Sequence, residues 1–336
     1  MQSGLSNART RPLILVLADA DDIGVRRVVS HLRTRCTVTW WRFGVPETSV
    51  TVEADNDTFC LKQPGATVTS SDFARASLVI YKRRWLQPKP LVLSTLSGAA
   101  DRLFSEREWT SLIEGLLQAE EHRGNSVWLN QPSSWALTSN KLALLLRASR
   151  EGVHIPRFTI STNVPMQHVH NDDVVVKAIS ADEVIDSTRY FATTRLSRDS
   201  LQGLDRRQLP TPSLFQDYVA PVQELRAYYI LGRMVTITLT PSPEHVDIRY
   251  VPADSMAPTR ARLPGELDTT LRALARTFGL NYCAFDILVP SRGDPVLVDI
   301  TPAGSWDYFE SEDSPFISNA FGAIITDHVA PTQRLA

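Results

Sequence analysis

The first third of the chain alternates between short apolar runs typical of buried strands and one stretch with helical periodicity. Residues 12–18 (PLILVLA) form the first apolar run, and further strands are predicted at residues 38–43 and 77–85. Between the first two strands, apolar residues recur at near-helical spacing: Ile23, Val25, Val28, Val29 and Leu32. A strand, a helix and a second strand form the repeating unit of α/β folds. The pattern therefore predicts an N-terminal α/β domain with a small parallel sheet.

The third of these strands ends in three cations, Lys82, Arg83 and Arg84. Open α/β sheets bind ligands at the carboxyl ends of their strands, so these side chains are candidates for an anion site. A solvated turn is the alternative interpretation.

Two helices are predicted in the next part of the chain, at residues 106–122 and from about residue 139 onward, with a short strand at 127–130 between them. Thr138 or Ser139 can cap the second helix, and Gly152 ends it. Four of its residues are expected to face inward: Leu142, Leu145, Leu146 and Ser149.

Lys141 stands in the first turn of that helix, where the helix dipole disfavours a cation. No acidic residue lies close to it in sequence, which favours an external anion, although a surface lysine is the alternative. Lys177 follows three valines of a predicted strand at residues 174–180. A lysine at this position binds phosphate or extends to solvent along an apolar surface. The presence of both lysines favours the phosphate interpretation.

The following segment contains a strand at residues 213–219 and a hairpin of residues 224–230 and 234–239 around the turn Leu231-Gly232-Arg233. Gln216 and Asp217 lie where the first strand leaves its apolar run. Alternation places Glu224 and Arg226 on the same side of the next strand. Arg249 lies in the next segment, HVDIRYVP. An amphipathic helix is predicted at residues 266–278.

A second hairpin carries two opposed acids. The strands on either side of the turn Arg292-Gly293 place Asp286 directly opposite Asp299. Alternation assigns Asp286, Asp299 and Thr301 to one face, and the apolar residues to the other: Phe285, Ile287, Val289, Val298 and Ile300. Opposed like charges are destabilising unless a positive charge lies between them. Magnesium bound by one or two carboxylates and phosphate oxygens fits this requirement, and an exposed strand face with two acids is the alternative.

Composition restricts the class of protein. The chain has 336 residues, of which 43% are hydrophobic and 21% charged, with a net charge of −2. This charge gives no support to a nucleic-acid or anionic-membrane partner. Its three cysteines lack metal-ligand spacing and indicate a reducing, cytoplasmic environment. No apolar run approaches the roughly 20 residues that a membrane span needs, and the first dozen residues do not resemble a signal peptide.

The order of these motifs resembles the ATP-grasp ligases, and within them the maturases of microviridin-type ribosomal peptides, the graspetide synthetases. The resemblance covers about residues 126–329 and lies in WLNQP, SNKL, FQDYV with ELRAYY, VDIRY, YCAFDI and DITPAGSWDYFE. It implies an α/β ATP-grasp fold with three parts. These are an N-terminal pre-ATP-grasp domain at residues 10–125, a central subdomain at 126–212, and a C-terminal subdomain with an antiparallel sheet at 213–330.

The resemblance also implies roles for individual residues. Lys141 and Lys177 would hold the phosphates of ATP. Gln216, Asp217 and Val219 would line the adenine hinge, and Glu224 would bind the ribose hydroxyls. Arg226 and Arg249 would face the transferred phosphoryl group and the acyl phosphate. Asp286, Asp299 and Thr301 would bind Mg²⁺.

Two of these positions depart from the family pattern, which usually has Glu where this chain has Asp299 and Asn where it has Thr301. Aspartate is one methylene shorter than glutamate, and a threonine hydroxyl is a weaker metal ligand than an amide carbonyl. Because Mg²⁺ tolerates little departure from octahedral geometry, these two residues bear on catalysis more than on nucleotide binding.

Three functions follow from the resemblance. The first is ATP-dependent activation of an Asp or Glu side chain of a precursor peptide, made of leader and core, with closure of an ester or amide crosslink. The second is an intermolecular ligase that joins an amino acid or amine to a peptide or small acid. The third is a degenerate module that binds nucleotide or leader peptide without turnover. The resemblance implies a homodimer.

Overall fold

The computed structural model describes residues 11–45, 47–53, 58–82, 97–124, 126–166, 172–180, 191–203, 208–242, 244–256 and 258–330. The chain forms two compact units. The first contains residues 1–132 and 312–336, and the second contains residues 133–311. The three-domain division at residues 10–125, 126–212 and 213–330 stays a prediction.

The first unit contains the parallel sheet expected from the N-terminal pattern. Four parallel strands lie in the order β2-β1-β6-β7, and a separate antiparallel sheet has the order β3-β4-β5. The elements are β1 (Leu13–Asp19), α1 (Ile23–Leu32), β2 (Thr37–Phe43), β3 (Ser49–Glu53), β4 (Thr58–Gln63), β5 (Ala66–Thr69), α2 (Ser70–Arg75), β6 (Leu78–Lys82), α3 (Ala99–Arg123) and β7 (Val127–Leu129). The α/β prediction for this region is confirmed.

Lys82 is not a ligand-facing cation in this unit. Its Nζ lies 2.7 Å from a carboxylate oxygen of Asp22, and both side chains are buried. Asp22 also caps α1, because its Oδ1 accepts a hydrogen bond from the backbone N–H of Val25 at 2.8 Å. Lys82 therefore stabilises a strand-to-helix connection. Arg83 and Arg84, the other two cations of the predicted anion site, lie outside the described residues.

The second unit contains two antiparallel sheets. One has the order β10-β9-β11-β8, and the other has five strands in the order β14-β13-β12-β15-β16. The elements are α4 (Pro132–Thr138), α5 (Lys141–Arg150), β8 (Phe158–Asn163), β9 (Asp173–Lys177), β10 (Thr194–Ser197), α6 (Arg198–Gln202), β11 (Gln208–Asp217), β12 (Pro221–Ile230), β13 (Arg233–Leu239), α7 (Ala253–Met256), β14 (Thr259–Ala261), α8 (Gly265–Thr277), β15 (Tyr282–Pro290) and β16 (Val296–Thr301).

The five-stranded sheet has one apolar face and one polar face. Helices α5 and α8 pack with the apolar face, where Ala227, Phe285 and Ile300 belong to one buried cluster together with Leu144 and Leu271. The side chains that alternate with this cluster on β12, β15 and β16 point to the other face. The predicted first hairpin is confirmed at Leu231 and Gly232, which have φ of 47° and 84°. Positive φ at both central residues matches the right-handed twist of the strands.

The terminal helix α9 (Phe316–Val329) belongs to the first unit and packs against α1. Gly322 makes this close approach possible, because a Cβ atom at this position would lie 2.5 Å from the His31 ring. In the parts of the chain that the structure describes, no helix is long and apolar enough to cross a membrane.

Candidate active site

The two acids predicted to be opposed on the second hairpin are indeed directly opposite each other, Asp286 on β15 and Asp299 on β16. The register shifts one step further along, so that Ile287 lies opposite Leu297 and Val298 is an extra residue on β16. This bulge corrects the predicted apolar face, because Leu297 is buried in the core in place of Val298. Bulges of this kind commonly lie beside active sites, where they redirect a strand.

Each of the opposed acids has its own cation. Lys141 Nζ lies 3.0 Å from Asp299 Oδ2, and Arg226 Nη1 lies 2.6 Å from Asp286 Oδ1. Lys177 Nζ donates to the carbonyl oxygen of Val298 at 3.0 Å, at the bulge. The positive charge required between opposed carboxylates is therefore supplied by the protein itself.

The two carboxyl groups differ in their electrostatics. Burial acts to raise the pKa of Asp299, but Lys141 and Lys177 outweigh it and lower this pKa below its ordinary value. The pKa of Asp286 is raised above its ordinary value. Burial is the main cause, the charge of Asp299 adds to it, and Arg226 acts in the opposite direction. The neighbouring charges thus push the two pKa values apart, with Asp299 holding the more stable negative charge.

The sequence placed Lys141 correctly in the first turn of its helix but did not identify its partner, which lies far along the chain. The helix cap is Asn140 rather than Thr138 or Ser139, because its Oδ1 accepts from the backbone N–H of Ala143 at 3.2 Å. The buried face is also corrected. Of the four residues expected to face inward only Leu145 is buried, and the buried residues are Lys141, Leu144, Leu145 and Ala148.

The start of α5 is fixed next to Lys177. The backbone N–H of Lys141 donates to the carbonyl of Ile179 at 2.9 Å, and Asn140 forms a β-bridge with Ser180. Both lysine side chains are buried. The structure therefore places the two predicted phosphate-binding lysines on adjacent segments beside the opposed acids.

Arg226 is held by three partners. Besides Asp286, its Nε donates to the Tyr228 hydroxyl at 3.0 Å and its Nη2 to the carbonyl of Ser305 at 3.4 Å. Gly304 allows this, because a Cβ there would lie 2.9 Å from Arg226 Nη2 and 2.6 Å from the Ala284 Cβ. Sequence reasoning did not identify Tyr228, although it alternates onto the face that carries Glu224 and Arg226.

Glu224 lies on the same face of β12 as Arg226. Burial and the neighbouring charge of Asp286 raise its pKa to about 7. Close to neutral pH, this side chain is therefore divided between its neutral and charged forms. A neutral carboxyl group can donate a hydrogen bond, and a charged one can only accept.

The predicted hinge residues lie at the end of β11, beside β9. Gln216 is opposite Val175, and the backbone N–H of Asp217 donates to the carbonyl of Arg157 at 2.9 Å. Gln216 is only 2% exposed, and its Nε2 has no hydrogen-bond partner in the described part of the chain. Buried amide donors are almost always satisfied, so this one fits a ligand acceptor such as a ring nitrogen of a nucleobase. Val219 follows in the partly exposed connection to β12.

Arg249 lies in a short 3-10 helix, Ile248–Tyr250, capped by Asp247. Asp247 accepts from Arg249 Nε at 2.8 Å and from the backbone N–H of Thr193 at 3.0 Å. Burial acts to raise the pKa of Asp247, but the hydrogen bonds and charge of Arg249 outweigh burial and lower this pKa below its ordinary value. Arg226 and Arg249 both act to lower the pKa of the Tyr308 phenol, although burial prevails and raises it.

The carboxylates suit a metal that completes its coordination with ligand oxygens. Among the described residues, no group of three or more His, Cys, Asp or Glu side chains could hold a metal ion alone. Mg²⁺ usually binds through one or two carboxylates plus phosphate oxygens. Asp286 and Asp299 supply that number, and Thr301 lies at the end of β16 opposite Ala284.

Comparison with solved structures identifies the fold. The macrocyclase MdnC from Microcystis aeruginosa MRC, bound with precursor peptide MdnA, matches with a TM-score of 0.75 at 19% identity, over 94% of this chain and 99% of that chain. A RiPP-associated ATP-grasp ligase from Chryseobacterium gregarium, in complex with ADP and a leader and core peptide, matches with a TM-score of 0.73 at 18% identity, over 94% and 97%. The ATP-grasp ligase PsnB, complexed with minimal precursor, Mg and ADP, gives 0.70 at 17% identity, over 94% and 97%.

The chain therefore has the ATP-grasp fold, as its motifs predicted. More particularly, it shares this fold with the macrocyclase MdnC and the RiPP-associated ATP-grasp ligase from Chryseobacterium gregarium over nearly the whole length of both chains. A scan against protein-family models and a search of curated protein sequences found no match.

Proposed function

We propose that this protein is an ATP-dependent ligase that activates Asp or Glu side chains of a ribosomally made precursor peptide and closes ester or amide crosslinks within it. The observation that carries the proposal is the arrangement of Asp286 and Asp299, directly opposed and flanked by Lys141, Lys177 and Arg226. The fold shared with peptide-modifying ATP-grasp ligases supports the peptide substrate.

The nucleotide would be held by the residues around β9, β11 and β12. Lys141 and Lys177 bind phosphate oxygens, and their positions on adjacent segments support this role. Gln216 uses its unsatisfied amide at the adenine, with Asp217 and Val219 along the hinge. Glu224 binds the ribose hydroxyls, either as donor or as acceptor, because its pKa is about 7.

Mg²⁺ would be held by Asp286 and Asp299, with Thr301 beside them. ATP supplies the transferred phosphoryl group, and the metal neutralises charge on its phosphates. Lys141, a buried ammonium group paired with Asp299, would also be available to phosphate oxygens, so that its charge would stay compensated.

The reaction proceeds in two steps. A side-chain carboxylate oxygen of the peptide attacks the γ-phosphorus, the bond to the β-phosphate oxygen breaks, and ADP leaves. A hydroxyl or amine of the same peptide then attacks the acyl carbon and loses its proton, and phosphate leaves. Arg226 and Arg249 orient the carboxylate and stabilise the charge on the transferred group. The peptide loses one water for each crosslink.

The other features of the proposal are the three-domain division, a homodimeric assembly and a cytoplasmic location. The location is supported by three free cysteines, of which Cys36 and Cys283 are buried. Reduced thiols are typical of the cytosol.

The test is incubation of the purified protein with ATP, Mg²⁺ and the precursor peptide encoded beside its gene. We expect the peptide mass to fall by multiples of one water, with ADP and phosphate released in step, as measured by mass spectrometry. A mass gain would instead indicate the intermolecular ligase. An unchanged mass with tight binding of nucleotide or peptide would indicate a binding module, and binding of neither ATP nor the peptide would contradict all three functions.

A further inference from the structure

One aromatic side chain on the polar face has no role in the proposed function. Tyr308 lies in the short 3-10 helix Asp307–Phe309, just after the loop that holds Arg226 through Ser305. Its ring packs on Phe309, with 4.2 Å between the ring centroids, and the Arg226 guanidinium lies 5.6 Å from the centroid of the Phe309 ring. The same segment therefore positions Arg226 and Tyr308.

The Tyr308 hydroxyl lies among charged groups. Arg226, Asp286, Asp307 and Arg249 all act on it, and burial, as the largest effect, raises its pKa above the ordinary value. The phenol therefore stays protonated at neutral pH. Because 36% of the residue is exposed, the side chain is accessible to a ligand from solvent.

This hydroxyl is an uncommitted donor next to the segment that holds Arg226, and both Arg226 and Arg249 already donate hydrogen bonds within the protein. Arg226 donates to Asp286, Tyr228 and Ser305, and Arg249 donates to Asp247. In the described part of the chain, the Tyr308 hydroxyl forms no hydrogen bond. A carboxylate that binds beside these arginines has up to four lone pairs to satisfy, and a neutral hydroxyl adds a donor to the guanidinium N–H groups that remain.

We propose that Tyr308 is a substrate-binding residue whose hydroxyl donates a hydrogen bond to the peptide carboxylate before it is phosphorylated. This inference rests on the proposed function and specifies its substrate site. A neutral donor suits this role, because it binds the carboxylate without adding charge beside Asp286.

The variant Tyr308→Phe tests this role, because it removes only the hydroxyl and keeps the packing against Phe309. We expect the KM for the precursor peptide encoded beside the gene to rise about tenfold, the effect of losing one hydrogen bond to a charged group. The Kd for Mg–ATP should stay unchanged. Tyr250→Phe is the matched control, since Tyr250 is 50% exposed and adjacent to Arg249 in sequence, and its KM for the peptide should equal that of the wild type.

A different result for Tyr308→Phe would overturn the inference. If Tyr308→Phe leaves the KM for the peptide unchanged while Tyr308→Ala raises it, the ring packs against the peptide and the hydroxyl has no role, which overturns the inference. If the wild-type protein forms no crosslink, the proposed function fails, and binding of the same fluorescein-labelled peptide, followed by anisotropy, still decides the role of Tyr308. Weaker binding by Tyr308→Phe supports the inference, and equal binding overturns it.

Discussion

Replacement of Arg226 by Ala is expected to lower kcat for crosslinking by at least about a thousandfold, the usual effect of removing an arginine that stabilises a transferring phosphoryl group. In this protein Arg226 binds Asp286 at 2.6 Å and is held by Tyr228 and the Ser305 carbonyl. The measurement is ADP release in the presence of saturating precursor peptide.

The same substitution is expected to lower stability. Without Arg226, Asp286 would face Asp299 and Glu224 with its own cation missing, and breaking such a pair costs about 3 kcal/mol. Arg226→Lys separates the two effects, because it keeps the charge but loses the planar guanidinium. It should unfold near the wild-type temperature and still be strongly impaired. Arg233→Ala, at the exposed turn of the same hairpin, is the control that should behave as wild type. Wild-type turnover by Arg226→Lys would contradict this role.

Replacement of Asp299 by Asn is expected to reduce Mg²⁺-dependent turnover by at least about a hundredfold, because the proposed metal ligand loses its charge. Asp299 carries the more stable negative charge of the opposed pair, since Lys141 and Lys177 lower its pKa. A titration of ADP release with Mg²⁺ should show a higher half-saturating concentration. Asp294→Asn, in the exposed turn of the same hairpin, changes an acid of the same type away from the site and should leave the titration unchanged.

The same experiment tests Asp299 and Thr301, the two residues that differ from the pattern of the family that the sequence resembles. The double variant Asp299→Glu with Thr301→Asn should keep the turnover of the wild type or increase it, because it restores a longer carboxylate and an amide ligand. If it instead creates turnover where the wild type has none, the natural protein is a nucleotide-binding module. Unchanged Mg²⁺ dependence in Asp299→Asn would exclude Asp299 from the metal site.

The opposed acids could be predicted from sequence because a connection centred near Arg292-Gly293 limits the register to a few residues and alternation assigns both acids to one face. The connection is longer than the predicted turn, since the last pair before it is Leu288 with Val296. The bulge at Val298 could not be predicted, because adjacent valines and leucines give no signal for which one is extra. The pair of Lys141 with Asp299 joins residues distant in sequence, and its existence depends on how α5 packs beside β16.

Elements with exposed residues were the ones that the sequence predicted poorly. Strand β3 (Ser49–Glu53) is short and mostly exposed, and its alternation rests on Val50 and Val52 alone, so the sequence does not predict the sheet β3-β4-β5. Helix α3 begins at Ala99, whereas the sequence predicts a start at residue 106. Its first turns have no buried face, so no apolar periodicity indicates them. The sequence offers Thr138 as a cap of α5, but Thr138 is the last residue of the preceding helix, α4. Its hydroxyl donates to the carbonyl of Ser134 at 2.8 Å, and Asn140 caps α5 instead.

The central claim, activation of a peptide carboxylate by phosphorylation, is tested most directly by isotope transfer. The precursor peptide is prepared with ¹⁸O in its Asp and Glu side-chain carboxylates and incubated with the protein, ATP and Mg²⁺. The account predicts one ¹⁸O atom in the released phosphate for every crosslink formed, measured by mass spectrometry of the phosphate. Crosslinked peptide accompanied by unlabelled phosphate would contradict it.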